Sequence, residues 1–191
     1  MNHSFYKWLS NRQWPVYILI LSTLLLSACQ PEATEQRKGQ QTASSGGATQ
    51  SFDLSRKWSD TSPKVNLHHI FAGEINRRGK PTGYHSRPGG QDPSGARIKS
   101  VSKRPNGAGV YTAQVEIKDP DTGKWKQKFS SLFPDTLSHQ AVIDAILYAY
   151  KNRDKGKDTP WSGPSGLGFQ INGYTNRDGS INTAFPIFVG N

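Results

Sequence analysis

Asn66-Leu-His-His-Ile-Phe-Ala-Gly-Glu-Ile-Asn-Arg-Arg-Gly-Lys-Pro-Thr-Gly-Tyr-His-Ser-Arg-Pro88 carries three of the five histidines of this 191-residue chain. Between His69 and His85 lie Gly73-Glu74, the basic run Arg77, Arg78 and Lys80, and two turn signals, Arg78-Gly79 and Lys80-Pro81. Glycine and proline at such positions favour a reversal, so the segment is expected to fold back and bring the two imidazoles together. Imidazole is the side chain whose ordinary pKa lets a neutral base and a protonated acid coexist near pH 7. Two of them facing one cationic groove suit acid/base chemistry on a phosphodiester. His68 and His69 are adjacent. In a helical turn they diverge by about 100°, and in a strand they face opposite sides, so one serves chemistry and the other local structure.

Downstream the pattern is mostly β. Ala96 to Ser102 alternates loosely and Pro105-Asn106-Gly107 marks a turn. Val110 to Lys118 alternates cleanly, with Tyr111, Ala113, Val115 and Ile117 expected to face the core. Asp119-Pro-Asp-Thr-Gly123 is a turn, and Lys124 to Phe133 returns as the hairpin partner. That strand sets Lys124, Lys126 and Lys128 on one face, where they either guard a solvated edge or line a phosphate-binding groove. One helix is clear: Ser138 is a good N-cap, and Val142, Ile143, Ile146, Leu147 and Tyr150 form an apolar stripe running to about Asn152. Lys151 and Arg153 suit its negative end, and His139 in its first turn is expected to face solvent. Asp154 to Gly168 reads as a loop whose amides could cradle a phosphate, although it lacks the Lys-Ser/Thr ending of a P-loop. A last hairpin follows, Phe169 to Tyr174 and Ser180 to Val189, turning at Asn176 to Gly179. Phe52 to Trp58 is either a short helix or an edge strand.

The formal net charge is +10. Residues 30–50 balance Glu32 and Glu35 against Arg37 and Lys38, so most of the excess falls after residue 51. A basic globular region points to a polyanion, whether nucleic acid, anionic glycan or anionic membrane surface, with solubility alone as the plainer reading.

The N-terminus reads as an export signal. Lys7 and Arg12 form a positive start, Val16 to Leu26 is an apolar run broken by Ser22 and Thr23, and Leu26-Ser27-Ala28-Cys29 follows. That run is short for a membrane span, which needs about 20 residues. The ending resembles the lipobox of bacterial lipoproteins, which implies removal of residues 1–28 and lipidation of Cys29, the single cysteine. Gln30 occupies the place where Asp would hold such a protein at the inner membrane, so the outer membrane is the expected address. Residues 29–51 lack large apolar side chains and read as a flexible tether. The folded domain is expected over residues 52–191.

His69-Ile-Phe-Ala-Gly-Glu74, Gly83-Tyr-His-Ser-Arg-Pro88, Ser130-Ser-Leu-Phe-Pro-Asp135 leading into a helix, Pro164-Ser-Gly166 and Thr183-Ala-Phe-Pro-Ile187 occur in order. Together they resemble the bacterial EndoU nuclease domain, known as the toxic tip of contact-dependent and polymorphic toxins, over roughly Trp58 to Val189. The resemblance implies an α+β fold with antiparallel sheets and a few helices around a cleft. It implies an endoribonuclease cutting single-stranded RNA, often at uridine, through the substrate's own 2′-OH, leaving 2′,3′-cyclic phosphate and 5′-OH ends. His69 and His85 match the catalytic histidines, with the order of acid and base open. Lys126 or Lys128 ahead of Ser130 matches the catalytic lysine, and Thr183 the residue contacting base or phosphate. Ser165 is expected among the substrate-binding residues, and Tyr174 or Phe185 could stack on a base. Arg87 is expected either at phosphate or paired with Glu74. No cofactor is implied, with manganese stimulation open, and the region after Cys29 offers neither cysteines nor His-x-x-x-His spacing for zinc. No Gly-x-Ser-x-Gly elbow supports a serine hydrolase. A monomer, an RNA substrate and a possible immunity protein complete the expectation. The competing reading is a non-catalytic basic lipoprotein module that holds nucleic acid or anionic glycan.

Overall fold

The computed structural model describes residues 53–156 and 159–190. The expected signal peptide, Cys29 and the tether lie outside the described residues. Among the described residues eight strands form three antiparallel sheets, joined by one α-helix, an arrangement compatible with the expected α+β fold.

The first sheet is the hairpin β1 (Glu74–Ile75) and β2 (Pro81–Thr82). Asn76 builds its turn, its side-chain oxygen accepting from the amides of Arg78 and Lys80, so the chain reverses between the two histidines as the sequence predicts. Arg77, Arg78 and Lys80 stand exposed at the tip.

The second sheet has the order β3 (Ala96–Lys103), β4 (Tyr111–Lys118), β5 (Trp125–Leu132). Tyr111, Ala113, Val115 and Ile117 are buried as the alternation demands, and they pack with Tyr84, Ala96 and Leu132 in one core cluster. The opposite face of β4 is buried at its start too, at Thr112 and at Val110 just before the strand, where Val110 packs in the core cluster of α1 and the third sheet.

The third sheet has the order β6 (Trp161–Pro164), β7 (Gln170–Thr175), β8 (Ile181–Pro186). It packs with α1 (His139–Lys151), whose Val142, Ile143, Ala145, Ile146 and Ala149 are buried. Ser138 caps α1 by accepting from the amide of Ala141, and Arg153 at the other end donates to the Tyr150 carbonyl. Strand β6 falls inside the stretch that reads as a loop. Its Gly163 is why: a Cβ there would stand 2.1 Å from the Ala149 carbonyl oxygen of α1, so close helix packing requires glycine at a strand position. Composition registers such a residue as a loop former.

Residues 53–58 form neither helix nor strand; Trp58 makes a single bridge to Asn66. Among the described residues no helix is long and apolar enough to cross a membrane.

Candidate active site

His69 and His85 arrive on different segments that backbone hydrogen bonds sew together. His68–Ala72 is a π-helical turn, closed by the Gly73 amide donating to the His68 carbonyl, which settles the helix-or-strand alternative with a third geometry. Such turns recur at functional sites. The Tyr84 amide donates to the His69 carbonyl, and the amides of His85 and Ser86 both donate to Ile70. Gly83 makes the approach possible: at φ 76° a Cβ would lie 2.2 Å from the His69 carbonyl oxygen. Tyr84 follows with φ 58° although it carries a bulky side chain. It is held there by complete burial and by its hydroxyl donating to Asp92. That strained residue turns His85 toward His69.

The result is two imidazole centroids 5.9 Å apart, in residues that are each only 8% exposed. His85 Nδ1 lies 3.0 Å from the Ser131 carbonyl oxygen. A carbonyl only accepts, so Nδ1 carries the hydrogen and Nε2 is the bare nitrogen. Burial, reinforced by the Lys128 charge and then by His69, holds this ring's pKa well below 6.5, so it is neutral at neutral pH. His69 Nδ1 lies 2.9 Å from Glu74 Oε1, so its Nδ1–H is likewise committed and its Nε2 is released. Hydrogen bonding to His69 holds the Glu74 carboxyl below the usual range, which keeps a negative charge against that ring. Asn66, fully buried, accepts from the His69 amide and donates to Asn182 on β8, pinning the turn to the third sheet.

The two rings open onto a cavity of about 350 Å³ that Lys128, Ser130, Thr183 and Phe185 also line. Phe185 lies 5.5 Å from the His85 ring, centroid to centroid. Lys128 Nζ donates to the Gly83 carbonyl at 2.9 Å, and burial lowers its pKa to about 8. Thr183 Oγ1 is buried and makes no hydrogen bond. Tyr174 stands opposite Thr183 across the β7–β8 ladder and shares its face, 40% exposed.

Other expected residues are engaged elsewhere. Lys126 pairs with Asp119 at 2.7 Å and donates to Gly79, so of the two candidate lysines only Lys128 reaches the cavity. Arg87 faces Asp92 and Asp135 rather than Glu74 and donates to the Gly90 carbonyl. Ser165 accepts from the amides of Leu167 and Phe169 and lines a depression beside α1 with Tyr148, so it organises the β6–β7 connection. His68 bonds to the Leu54 carbonyl, a local structural role. His139 is half-buried against Phe71, 4.8 Å between ring centroids, instead of facing solvent. Sequence reasoning passed over Glu74 as the partner of His69 and Asn66 as its anchor; an acid five residues past the histidine within one turn was the available signal. Among the described residues no group of three or more His, Cys, Asp or Glu could hold a metal ion.

Residues 64–188 match the family described as bacterial EndoU nuclease. A protein of Bacillus cereus described as a toxin is 38% identical over 121 residues, 63% of this chain and 22% of its own length. The chain therefore spans about a fifth of that relative. No solved structure matches. With the match covering most of the chain and all of the cavity, the protein belongs to the bacterial EndoU nuclease family.

Proposed function

We propose that this protein is an endoribonuclease that cleaves single-stranded RNA by transesterification, with a preference for uridine on the 5′ side of the cut. The carrying observation is the pair of imidazoles 5.9 Å apart whose Nδ1 atoms are both tied down. His85 Nε2 takes the proton of the 2′-OH, and the freed oxygen attacks phosphorus. The P–O5′ bond breaks while His69 Nε2 delivers its proton to the departing 5′-oxygen, leaving a 2′,3′-cyclic phosphate and a 5′-OH. The charges support this order: a cation lies near His85, favouring the bare ring, and a carboxylate lies against His69. Lys128 offsets the charge growing on the phosphoryl oxygens, the Thr183 hydroxyl meets the base or phosphate, and Phe185 stacks on the base. The steps use side chains alone.

The biological setting is proposed with it. The toxin relative supports a toxin role with an immunity partner, and the lipobox-like Leu26-Ser-Ala-Cys29 supports export and a tether through lipidated Cys29, in the outer membrane; the proposed protein acts as a monomer. Incorporation of labelled fatty acid, abolished by Cys29→Ser, tests the anchor.

The nuclease test incubates the purified protein with a fluorescent uridine-containing RNA and with a copy carrying 2′-deoxyuridine, in EDTA and then with manganese. Cleavage of the first alone, with cyclic phosphate ends, is expected in both buffers. His85→Ala and His69→Ala should each lower the rate by about 10²–10⁴. RNA bound but uncut in both buffers would sink the reading and favour a non-catalytic basic module.

A further inference from the structure

A second cavity of about 430 Å³ adjoins the first and is lined by Lys103, Thr112, Phe129, Ser131, Phe185 and Phe188. Its floor is one row of the second sheet. Lys103 stands opposite Thr112, and Thr112 opposite Ser131. Its wall comes from the third sheet and the segment after β8, with Ser131 donating to the Pro186 carbonyl where floor and wall meet. Phe129, Ser131 and Phe185 border both cavities, so the two lie side by side across Phe185.

Three features describe an occupant. Phe129 is 56% exposed, and with Phe185 and Phe188 it supplies aromatic surface for a flat ring. Thr112 is 4% exposed, yet its hydroxyl makes no hydrogen bond. Buried hydroxyls are normally paired, so a polar edge entering the cavity would satisfy it. Lys103 is exposed and has no acidic partner among the described residues. Aromatic faces, a polar handle and a cation in one groove are how single-stranded nucleic acid is held.

We propose that this groove is a second nucleotide subsite, holding the nucleotide on the other side of the scissile phosphate from the uridine. Its base stacks on the exposed Phe129 with a polar edge on the Thr112 hydroxyl, and Lys103 meets its outer phosphate. The inference rests on the ribonuclease reading, and it makes cleavage efficiency depend on chain length as well as on the base at the cut.

The experiment compares kcat/KM for a tetranucleotide with that for uridine 3′-(methyl phosphate), a methyl ester whose one-carbon leaving group leaves the groove empty. Ser102→Trp fills the groove from an exposed strand position, and Lys103→Glu reverses the charge at its rim. Each should lower the tetranucleotide-to-ester ratio about tenfold, within the range for one lost stacked base. Lys103→Glu should also flatten the salt dependence of the tetranucleotide reaction. Because each ratio is taken within one protein sample, partial loss of folded protein cancels. Ester cleavage with unchanged ratios in both variants would overturn the subsite and leave the ribonuclease standing. Failure of the unmodified protein to cut either substrate would overturn the ribonuclease reading, and the subsite with it.

Discussion

Lys128 is the group on which the alkaline side of the cleavage profile should turn. Burial draws its ammonium from 10.5 down to about 8. About nine-tenths of the protein then carries this charge at pH 7, and about one-tenth at pH 9. A charge that stabilises the pentacoordinate phosphorus is worth about 10²–10³ in rate, so kcat/KM should fall about tenfold per pH unit above 8. Lys128→Arg keeps its charge throughout that range. Its limb should move up by more than one pH unit, although the absolute rate drops because a planar guanidinium replaces the ammonium that now meets the Gly83 carbonyl. The assay is initial-rate cleavage of a uridine dinucleotide from pH 6 to 9.5 at constant ionic strength. A limb that stays in place in Lys128→Arg would refute the reasoning.

Gly83→Ala forces a Cβ to 2.2 Å from the His69 carbonyl oxygen at φ 76°. It should cost at least about 2 kcal/mol in urea unfolding, and an unchanged midpoint would contradict the backbone geometry. Arg87→Met should cost about 1–2 kcal/mol, a figure reduced because Asp92 and Asp135 are about one-third exposed. Its kcat/KM should change less than about threefold; a folded variant with a large rate loss would place Arg87 on the phosphate after all. His85 links stability to pH. Its folded pKa is depressed, so on acidification the unfolded chain takes the proton first, near pH 6.5. The native state then loses stability from that pH downward, until the folded pKa is reached. Thermal melts of wild type and His85→Phe at pH 7.5, 6.5 and 5.5 should show the wild type losing more, and a constant difference between them would exclude the linkage.

Local patterns in the chain were enough for the elements they control. Alternation from Tyr111 to Ile117 specifies which face of β4 is buried, because strand side chains alternate whatever the strand packs against. Ser138 and the apolar stripe of α1, and the reversal at Asn76 to Lys80, likewise depend on neighbours in sequence. Strand β6 was illegible because Gly163 answers to a helix carbonyl from a distant part of the chain. The π turn at His68–Ala72 was illegible for a related reason: its register is held by Asn66 bonding to Asn182, a contact no periodicity records.

For the site, the sequence by itself determined the chemical inventory: two histidines separated by a reversal, a row of lysines and a Thr-Ala-Phe-Pro segment. Tertiary structure decided the rest. It separated Lys128 from Lys126 by placing Asp119 against one and the Gly83 carbonyl against the other. It turned Arg87 to two aspartates, and it gave His69 a carboxylate and His85 a carbonyl and burial. In the proposed reaction acid and base differ through these surroundings, and surroundings are made by segments remote in sequence, so two identical imidazoles become chemically distinct only once the chain has folded.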